Sequence, residues 1–189
     1  MDKRNELSTP RLILRRWHDA DREPFAALNA DPLVMKYFPD SLTRQQSDNL
    51  IERIEADFEH YGYGLWALQL RATDELIGFA GLEVPSFDAH FTPAVEIGWR
   101  LARSAWGNGY ATEAACASLA FGFEQARLAE IVSFTSTTNL RSRAVMERIG
   151  MARNPSDDFD HPGLPEGHRL RRHVLYRMTA PTHASRTPC

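Results

Sequence analysis

The fold is decided by the stretch Val95-Glu96-Ile97-Gly98-Trp99-Arg100-Leu101, which is followed by Trp106-Gly107-Asn108-Gly109-Tyr110-Ala111-Thr112-Glu113-Ala114. The first run alternates as a strand does, so that Glu96 faces away from its neighbours Val95 and Ile97. The second run begins with a glycine turn and continues into small residues, which let a helix lie close to a sheet. The pattern therefore predicts a strand over 94–101, a glycine turn, and a long helix.

The glycine turn is a candidate anion site. Between a strand and a helix, residues 107–109 can turn their backbone N–H groups outward, where these groups add to the positive end of the helix dipole. The alternative is a tight turn whose glycines serve packing alone. A P-loop would need a lysine after Gly109, where Tyr110 stands, and a dinucleotide fingerprint would need glycine or alanine where Thr112 stands. Neither nucleotide motif fits.

The remaining chain alternates strand and helix patterns. A strand is predicted over 11–15, followed by a helix through Phe25, Leu28 and Leu33. The later elements are a helix over 43–61, a hairpin of 65–70 and 76–84, a strand over 131–137, a helix over 139–149, a strand near 151, an exposed loop over 155–167 and a strand over 173–178. We expect one α/β domain over residues 1–180 and a flexible tail over 181–189.

Size and composition limit the class of protein. The 189 residues, 43% of them hydrophobic, suit one globular domain, and no apolar run approaches the roughly 20 residues of a membrane span. The net charge of −3 favours neither nucleic acid nor a membrane as partner. Cys116 and Cys189 are too few and too oddly placed for a disulfide framework or metal cluster, and no export signal is visible. These features predict a cytoplasmic protein.

The opening stretch resembles the acetyl-coenzyme A motif of GNAT N-acetyltransferases. Within that superfamily the chain is similar to the RimJ/RimL-type branch, which includes ribosomal-protein N-terminal acetyltransferases. The branch's opening is matched by Thr9-Pro10-Arg11-Leu12-Ile13-Leu14-Arg15, and its second block by Asn139-Leu140-Arg141-Ser142 with Met146-Glu147-Arg148-Ile149-Gly150-Met151. One departure is Trp106, where many GNAT proteins carry Gln or Arg, so charge is absent at that position and backbone amides are expected to hold the pyrophosphate.

The resemblance implies an α/β GNAT fold, in which a mixed, mostly antiparallel sheet is splayed between the strands at 94–101 and 131–137. Acetyl-CoA would be the cosubstrate, with its pantetheine arm in the splay. The cofactor-binding residues carried over from the family are Trp99 and Leu101 through their backbones, Trp106, Gly107, Asn108, Gly109, Tyr110, Ala111 and Thr112 around the pyrophosphate, and Asn139 near the pantetheine end.

Acetyl transfer to an amine needs groups that move protons. An ammonium must lose a proton before it attacks a thioester, and Glu96 is the leading candidate base; a solvated or salt-bridged strand residue is the alternative. Ser142 is the candidate for protonating the leaving thiolate, or else it satisfies backbone groups of the first helical turn. Many GNAT proteins use a tyrosine there, but none lies between Asn139 and Gly150.

Candidate substrate residues are Tyr37, Phe38, His161 and His168, each of which could instead pack in the core or at a rim. His161, His168 and His173 lie near aspartates, but their spacing matches no zinc pattern, and no metal is predicted. The expected acceptor is an amine of a protein N-terminus or of a small molecule. A noncatalytic acyl-CoA sensor is the rival from another class, and a homodimer has no sequence signature.

Overall fold

The computed structural model describes residues 6–180, so the predictions for the tail at 181–189 and for Cys189 lie outside the described residues. The longer strands are β2 (Leu12–Arg15), β3 (Leu65–Leu70), β4 (Leu76–Glu83), β5 (Glu96–Leu101), β6 (Glu130–Ser136) and β9 (Arg172–Thr179); the two-residue strands are β1 (Leu7–Ser8), β7 (Ala152–Arg153) and β8 (Phe159–Asp160). The helices are α1 (Arg22–Ala30), α2 (Arg44–Tyr61), α3 (Tyr110–Glu124) and α4 (Leu140–Arg148).

The strands form one twisted, mostly antiparallel sheet. Strands β1 to β5 follow one another in chain order as antiparallel neighbours, and β6 then lies parallel to β5. Beyond β6 come β9 and β7, while β8 pairs with β9. The parallel connection between β5 and β6 runs through α3, as a crossover must. The predicted α/β fold is confirmed.

Helix α2 has the end signals and the apolar face that its sequence predicts. Thr43 and Gln46 form a capping box at its start, and Gly62 closes its end with a left-handed φ of 77°. Its apolar side turns into the core through Leu50, Ile51, Ile54 and Phe58. Among residues 6–180, this and every other helix is too short or too polar to cross a membrane.

Helix α3 lies close against the sheet, as its small residues predict. Ala114 and Ala115 are fully buried. A Cβ added at Gly122 would come within 2.6 Å of Ile131 Cδ1 on β6, so a larger residue would require the Ile131 side chain to shift. The close contact places the C-terminal part of α3 directly against β6.

Two sequence predictions are wrong in part. Helix α1 ends at Ala30, and Leu33 lies beyond it with half of its surface exposed. Asp31-Pro32 ends the helix there, because a residue before proline is driven out of the helical region. The segment 155–167 is not simply an exposed loop: it contains β8, and its apolar residues Phe159 and Leu164 are buried. The Pro, Gly and Asp residues of this segment are typical of an exposed loop, so its two buried apolar residues were not predicted.

Candidate active site

The sheet opens between β5 and β6. Their ladder has one pair, Glu96 opposite Val132, and the Val132 N–H donates to the Val95 carbonyl at 2.9 Å. The buried Ser133 hydroxyl then donates to the Ile97 carbonyl at 2.8 Å. Past this contact the two strands separate, and we call the gap the wedge.

The wedge exposes main-chain groups of β5. Because alternate residues of a strand direct their N–H and C=O groups to the same side, Trp99 and Leu101 follow Val95 and Ile97 in facing the wedge. The Leu101 carbonyl accepts the indole N–H of Trp106 at 2.9 Å. The sequence prediction placed Trp99 and Leu101 as backbone contacts for the cofactor, and this geometry leaves the Trp99 groups open to a ligand.

The glycine turn has the conformation that an anion cradle needs. Gly107 and Gly109 have left-handed φ values of 78° and 79°, which strain any residue with a side chain. A Cβ at Gly107 would meet nothing within 4 Å, so the space above the turn is open. Helix α3 starts at Tyr110 without a side-chain cap, which leaves its first N–H groups available for a ligand. A pyrophosphate fits this set of donors.

Arginines from other elements surround the turn, although Trp106 itself is neutral. The Arg141 guanidinium lies 4.5 Å from the centre of the Trp106 ring, and Arg148 Nη1 donates to Thr112 Oγ1 at 3.2 Å. Arg11 donates to the Asn108 carbonyl at 2.8 Å. Arg11 is also paired with Glu113 at 2.6 Å, whereas Arg141 and Arg148 both lie on α4. Sequence reasoning treated the loop alone and missed these arginines, whose clustering depends on how distant parts of the chain pack at the start of α3.

One continuous cavity of about 1590 Å³ joins the turn, the wedge and the far end of β5. This volume exceeds the roughly 300–1,000 Å³ of an ordinary small-ligand pocket, so it has room for two substrates. The cavity wall contains fourteen of the predicted site residues together: Tyr37, Phe38, Glu96, Trp99, Leu101, Trp106, Gly107, Gly109, Tyr110, Ala111, Thr112, Asn139, Ser142 and His161. Asn108 and His168 do not line it.

Glu96 stands where the wedge begins. Its carboxylate accepts a hydrogen bond from the backbone of Phe134 on β6, which lowers its pKa. Burial, and then the negative charge of Glu83, outweigh that bond and raise the pKa of Glu96 well above its ordinary value. A carboxylate with a raised pKa can hold a proton taken from an amine near neutral pH, which suits a general base.

Glu83, on β4, is a site residue that sequence reasoning missed. It is the direct cross-strand partner of Glu96, and both side chains line the cavity. Burial raises the pKa of Glu83, while the charges of Arg53 and Arg100 oppose the rise. The signal was available in the hairpin: Glu83 is the one acidic residue inside an otherwise apolar strand, but its register against β5 was not readable from the sequence.

Arg100 forms the floor beside this acidic pair. Its guanidinium lies 4.0 Å from the centre of the Phe38 ring and 5.2 Å from that of Phe79, and Nη1 donates to Asn29 Oδ1 at 2.6 Å. Burial lowers the pKa of Arg100 to about 10, so it stays cationic at neutral pH. Phe38, predicted to contact substrate, is therefore held in the cavity wall by a cation–π contact.

Asn139 and Ser142 meet at the start of α4. The Asn139 side chain accepts the Ser142 backbone N–H at 3.3 Å and donates to Thr135 Oγ1 at 2.9 Å. Asn139 thus caps the helix. The backbone group of Ser142 is satisfied by this cap, and within residues 6–180 its hydroxyl has no hydrogen-bond partner. That hydroxyl lines the cavity and can donate into it.

The predicted substrate residues His161 and His168 lie in different surroundings, and His173 accompanies His161. The rings of His161 and His173 lie 5.1 Å apart on the cavity wall, where burial lowers the pKa of each. They pack with Phe134 and Phe159. His168 turns away, and its Nδ1 accepts the Leu170 N–H at 3.2 Å. The part of the chain that the structure describes contains no cluster of three metal-ligating side chains.

The chain belongs to the GNAT acetyltransferase family, because the acetyltransferase (GNAT) domain family matches residues 11–152. It is an acetyltransferase, and enzymes of this family use acetyl-CoA. It is 34% identical over 152 residues to the uncharacterized protein YkkB of Bacillus subtilis, covering 80% of this chain and 87% of that one. It is 30% identical over 190 residues to the FsC-acetyl coenzyme A-N(2)-transacetylase of Aspergillus fumigatus, covering 93% and 80%.

Solved structures share the fold. The GNAT-family acetyltransferase of Bacillus anthracis superposes with a TM-score of 0.76 at 27% identity, over 93% of this chain and 98% of that chain. A ribosomal-protein-serine acetyltransferase from Vibrio cholerae superposes with a TM-score of 0.75 at 19% identity, over 95% and 99%. The second likeness is one of fold alone, so the family is established and the RimJ/RimL-type branch is not.

Proposed function

We propose that this protein transfers the acetyl group of acetyl-CoA to a primary amine by direct attack of the amine on the thioester. One observation supports this most: a carboxylate with a raised pKa and an anion cradle stand at opposite ends of the same open strand. Glu96 begins β5 and Leu101 ends it, a distance of about 17 Å for five residue steps. An extended thioester arm lying along the wedge would bring its reactive end toward Glu96.

Each end of the wedge has a separate task in this proposal. Gly107, Gly109 and the first turn of α3 hold the pyrophosphate, with Arg141 and Arg148 adding positive charge nearby. At the other end Glu96 takes a proton from the ammonium, so that the nitrogen lone pair becomes free to attack. The Trp99 N–H, which faces the wedge, is positioned to stabilise negative charge that develops on the carbonyl oxygen.

Ser142 is the proposed donor to the leaving sulfur. Ser142 lines the cavity, and its backbone N–H donates to the Asn139 side chain at the first turn of α4. A thiolate has a conjugate-acid pKa of about 8.5, so protonation assists its departure but is not indispensable. We therefore expect Ser142→Ala to lower kcat by about tenfold or less, a smaller loss than removal of a general base produces.

The acceptor is proposed to be a primary amine, either a protein N-terminus or a small molecule. The N(2)-transacetylase of Aspergillus fumigatus is named for transfer from acetyl coenzyme A to a nitrogen, which supports an amine as acceptor. The wall formed by Tyr37, Phe38 and His161 gives the acceptor end of the cavity aromatic and polar surface. Tyr61 and Tyr63 stack on each other outside this wall.

The test is turnover of acetyl-CoA with a panel of N-terminal peptides and small primary amines. Release of free thiol follows the rate, and mass spectrometry identifies the acetylated acceptor. We expect thiol release that depends on the amine and disappears in Glu96→Gln. Binding of acetyl-CoA without consumption by any acceptor would instead identify a noncatalytic sensor, and metal chelators should leave the rate unchanged.

A further inference from the structure

We propose that Glu83 is an acceptor-binding residue, which forms with Glu96 a two-carboxylate pocket that receives the acceptor as an ammonium cation. This rests on the proposed function and adds to it a second residue and a charge requirement for the acceptor. The pocket consists of Glu83, Glu96 and Gly98, with Phe38 and Arg100 beside them.

The register of the sheet places the two carboxylates side by side. Glu83 and Glu96 are directly opposite each other across β4 and β5, and side chains in such pairs leave the same face with Cβ atoms about 5 Å apart. Two like charges in this position repel unless a proton or a cation lies between them. Their placement on a cavity wall gives a ligand access to both.

Space for the ligand is provided by Gly98. A Cβ at this position would lie 3.6 Å from Glu83 Oε1, so a side chain there would occupy the space beside the carboxylate. With glycine in place, Oε1 borders the cavity. An ammonium group presents three N–H donors, and two carboxylates and a backbone carbonyl of the wedge can accept all three.

The Glu83 carboxylate is otherwise unpaired. Within residues 6–180 it forms neither a hydrogen bond nor a salt bridge, although Arg53 and Arg100 act on it from a greater distance. Arg100 Nη1 donates to Asn29, and its guanidinium packs on the rings of Phe38 and Phe79, while its buried Nε has no hydrogen-bond partner within residues 6–180. A half-buried carboxylate without a partner loses part of its hydration, and a charged ligand would relieve that cost.

Charged groups of both signs surround the pair, and they come from several elements. Helix α2 contributes Arg53 and Asp57, β5 contributes Arg100, and Lys36 stands in the cavity wall. His161 and His173 line the same cavity, and burial lowers the pKa of both, which keeps them neutral near pH 7. Because Glu83 and Glu96 are cross-strand partners, we expect their protons to leave in two steps that belong to the pair.

The proton balance of the reaction agrees with this arrangement. The bound ammonium gives one proton to the pair, its nitrogen forms the amide bond, and the carbon–sulfur bond breaks. The nitrogen then loses a second proton, and the departing thiolate gains one. The net products are the amide, free thiol and one proton released from the carboxylate pair to solvent.

The experiment compares Glu83→Gln with wild type on two acceptors: an active alkylamine from the panel and its fluorinated analogue, whose amine is largely neutral at the assay pH. For the ammonium acceptor we expect KM to rise about tenfold, the effect of losing one charged hydrogen-bond partner. For the neutral analogue KM should change less than about twofold, because it brings no charge to the pocket. The Kd of acetyl-CoA should stay the same.

Glu75→Gln is the matched control, since Glu75 is an exposed glutamate in the turn before β4. It should behave as wild type on both acceptors. Equal losses on the two acceptors, or no loss on either, would overturn the ammonium pocket while leaving acetyl transfer intact. Glu83→Asp should recover part of the affinity if the charge matters, and thermal unfolding of each variant reports its folding.

A second measurement does not depend on turnover. Carbon-13 NMR of side-chain carboxyls, followed against pH, should show the apparent pKa of Glu96 falling in Glu83→Gln, because the neighbouring negative charge is gone. In wild type, added alkylammonium should shift the titration of both carboxylates. Independent titration of the two groups, unaffected by the amine, contradicts the proposal even if acetyl transfer itself is never detected.

Discussion

The Ser133 hydroxyl donates to the Ile97 carbonyl across the point where β5 and β6 separate, at a distance of 2.8 Å. Both residues are buried there. A backbone N–H of β6 would occupy this place in a continuous sheet, and the longer side-chain bridge holds the strands together while allowing them to diverge. The wedge thus begins at a defined residue.

Ser133→Ala should therefore weaken both the fold and the cofactor site. The variant leaves the Ile97 carbonyl buried without its donor, at a cost of about 1–3 kcal/mol in the free energy of unfolding. Urea unfolding measures this loss, and calorimetry should show weaker acetyl-CoA binding. Ser118→Ala is the control: its buried hydroxyl donates to the Ala114 carbonyl within α3, a bond that duplicates a helical one, so it should cost less than about 1 kcal/mol.

Arg15 and Asp21 supply a second stability test. Two guanidinium nitrogens donate to the two carboxylate oxygens at 2.6 and 2.9 Å, and both side chains are largely buried. Arg15→Met leaves Asp21 buried without its partner and should destabilise the protein by about 3–5 kcal/mol. Arg44→Met removes a more exposed arginine, whose partner Asp48 also lies 3.7 Å from Arg22 Nη1, and should cost less than about 1 kcal/mol. Equal losses of stability in Arg15→Met and Arg44→Met would contradict the idea that burial makes the Arg15–Asp21 pair the costlier one to break.

The pH dependence of the Arg15 effect has a definite sign. Burial raises the pKa of Asp21, but hydrogen bonds from Arg15 and His18 outweigh it, so the pKa lies below its ordinary value. The ionised carboxylate therefore stabilises the fold above its unfolded-state pKa, and this contribution is lost as pH falls through the folded-state pKa. The difference in melting temperature between wild type and Arg15→Met should shrink in acid.

Local pattern was enough to predict most elements. Thr43 and Gly62 are residue types that favour the start and the end of a helix. Gly107 and Gly109 likewise indicate a turn with positive φ values. The position of Glu96 on the outward face of a strand followed from alternation alone. Such features depend on neighbours along the chain, which a sequence displays directly.

Features that depend on strand register or on packing could not be predicted from the sequence. Glu83 meets Glu96 because two strands align at one particular offset, and Arg141 meets Trp106 because α4 crosses the start of α3. His168 and His161 lie seven residues apart, yet only His161 reaches the cavity, because a turn between them reverses the chain. Periodicity carries no information about these long-range distances.

Glu96→Gln should gain stability and lose activity. Because burial and Glu83 raise the pKa of Glu96, its ionised form is less favourable in the folded state than in the unfolded one. Stability is complete below the unfolded-state pKa and declines as pH rises through the folded-state value. The variant, which cannot ionise, should melt higher than wild type at pH 8 and at nearly the same temperature at pH 5.

The same change should lower kcat by about 10²-fold or more, the usual contribution of a general base. In wild type, kcat/KM should fall as the pH drops below the raised pKa of Glu96. This fall should begin at a higher pH than it would for a glutamate with an ordinary pKa. Glu23→Gln, an exposed glutamate of α1, should change neither melting nor rate. An unchanged rate and pH profile in Glu96→Gln would remove Glu96 from the reaction.

Gly109→Glu tests the anion cradle with a control of the same backbone strain. Gly109 and Gly167 both adopt left-handed φ values, 79° and 78°, so a glutamate is equally strained at either position. Only Gly109 lies at the cavity, where a carboxylate would repel a pyrophosphate and block its approach to the first turn of α3. We expect calorimetry to show acetyl-CoA affinity at least about tenfold weaker in Gly109→Glu, about 1.4 kcal/mol, and unchanged in Gly167→Glu. Equal affinities in the two variants would place the pyrophosphate away from this turn, since the remaining difference between them is position.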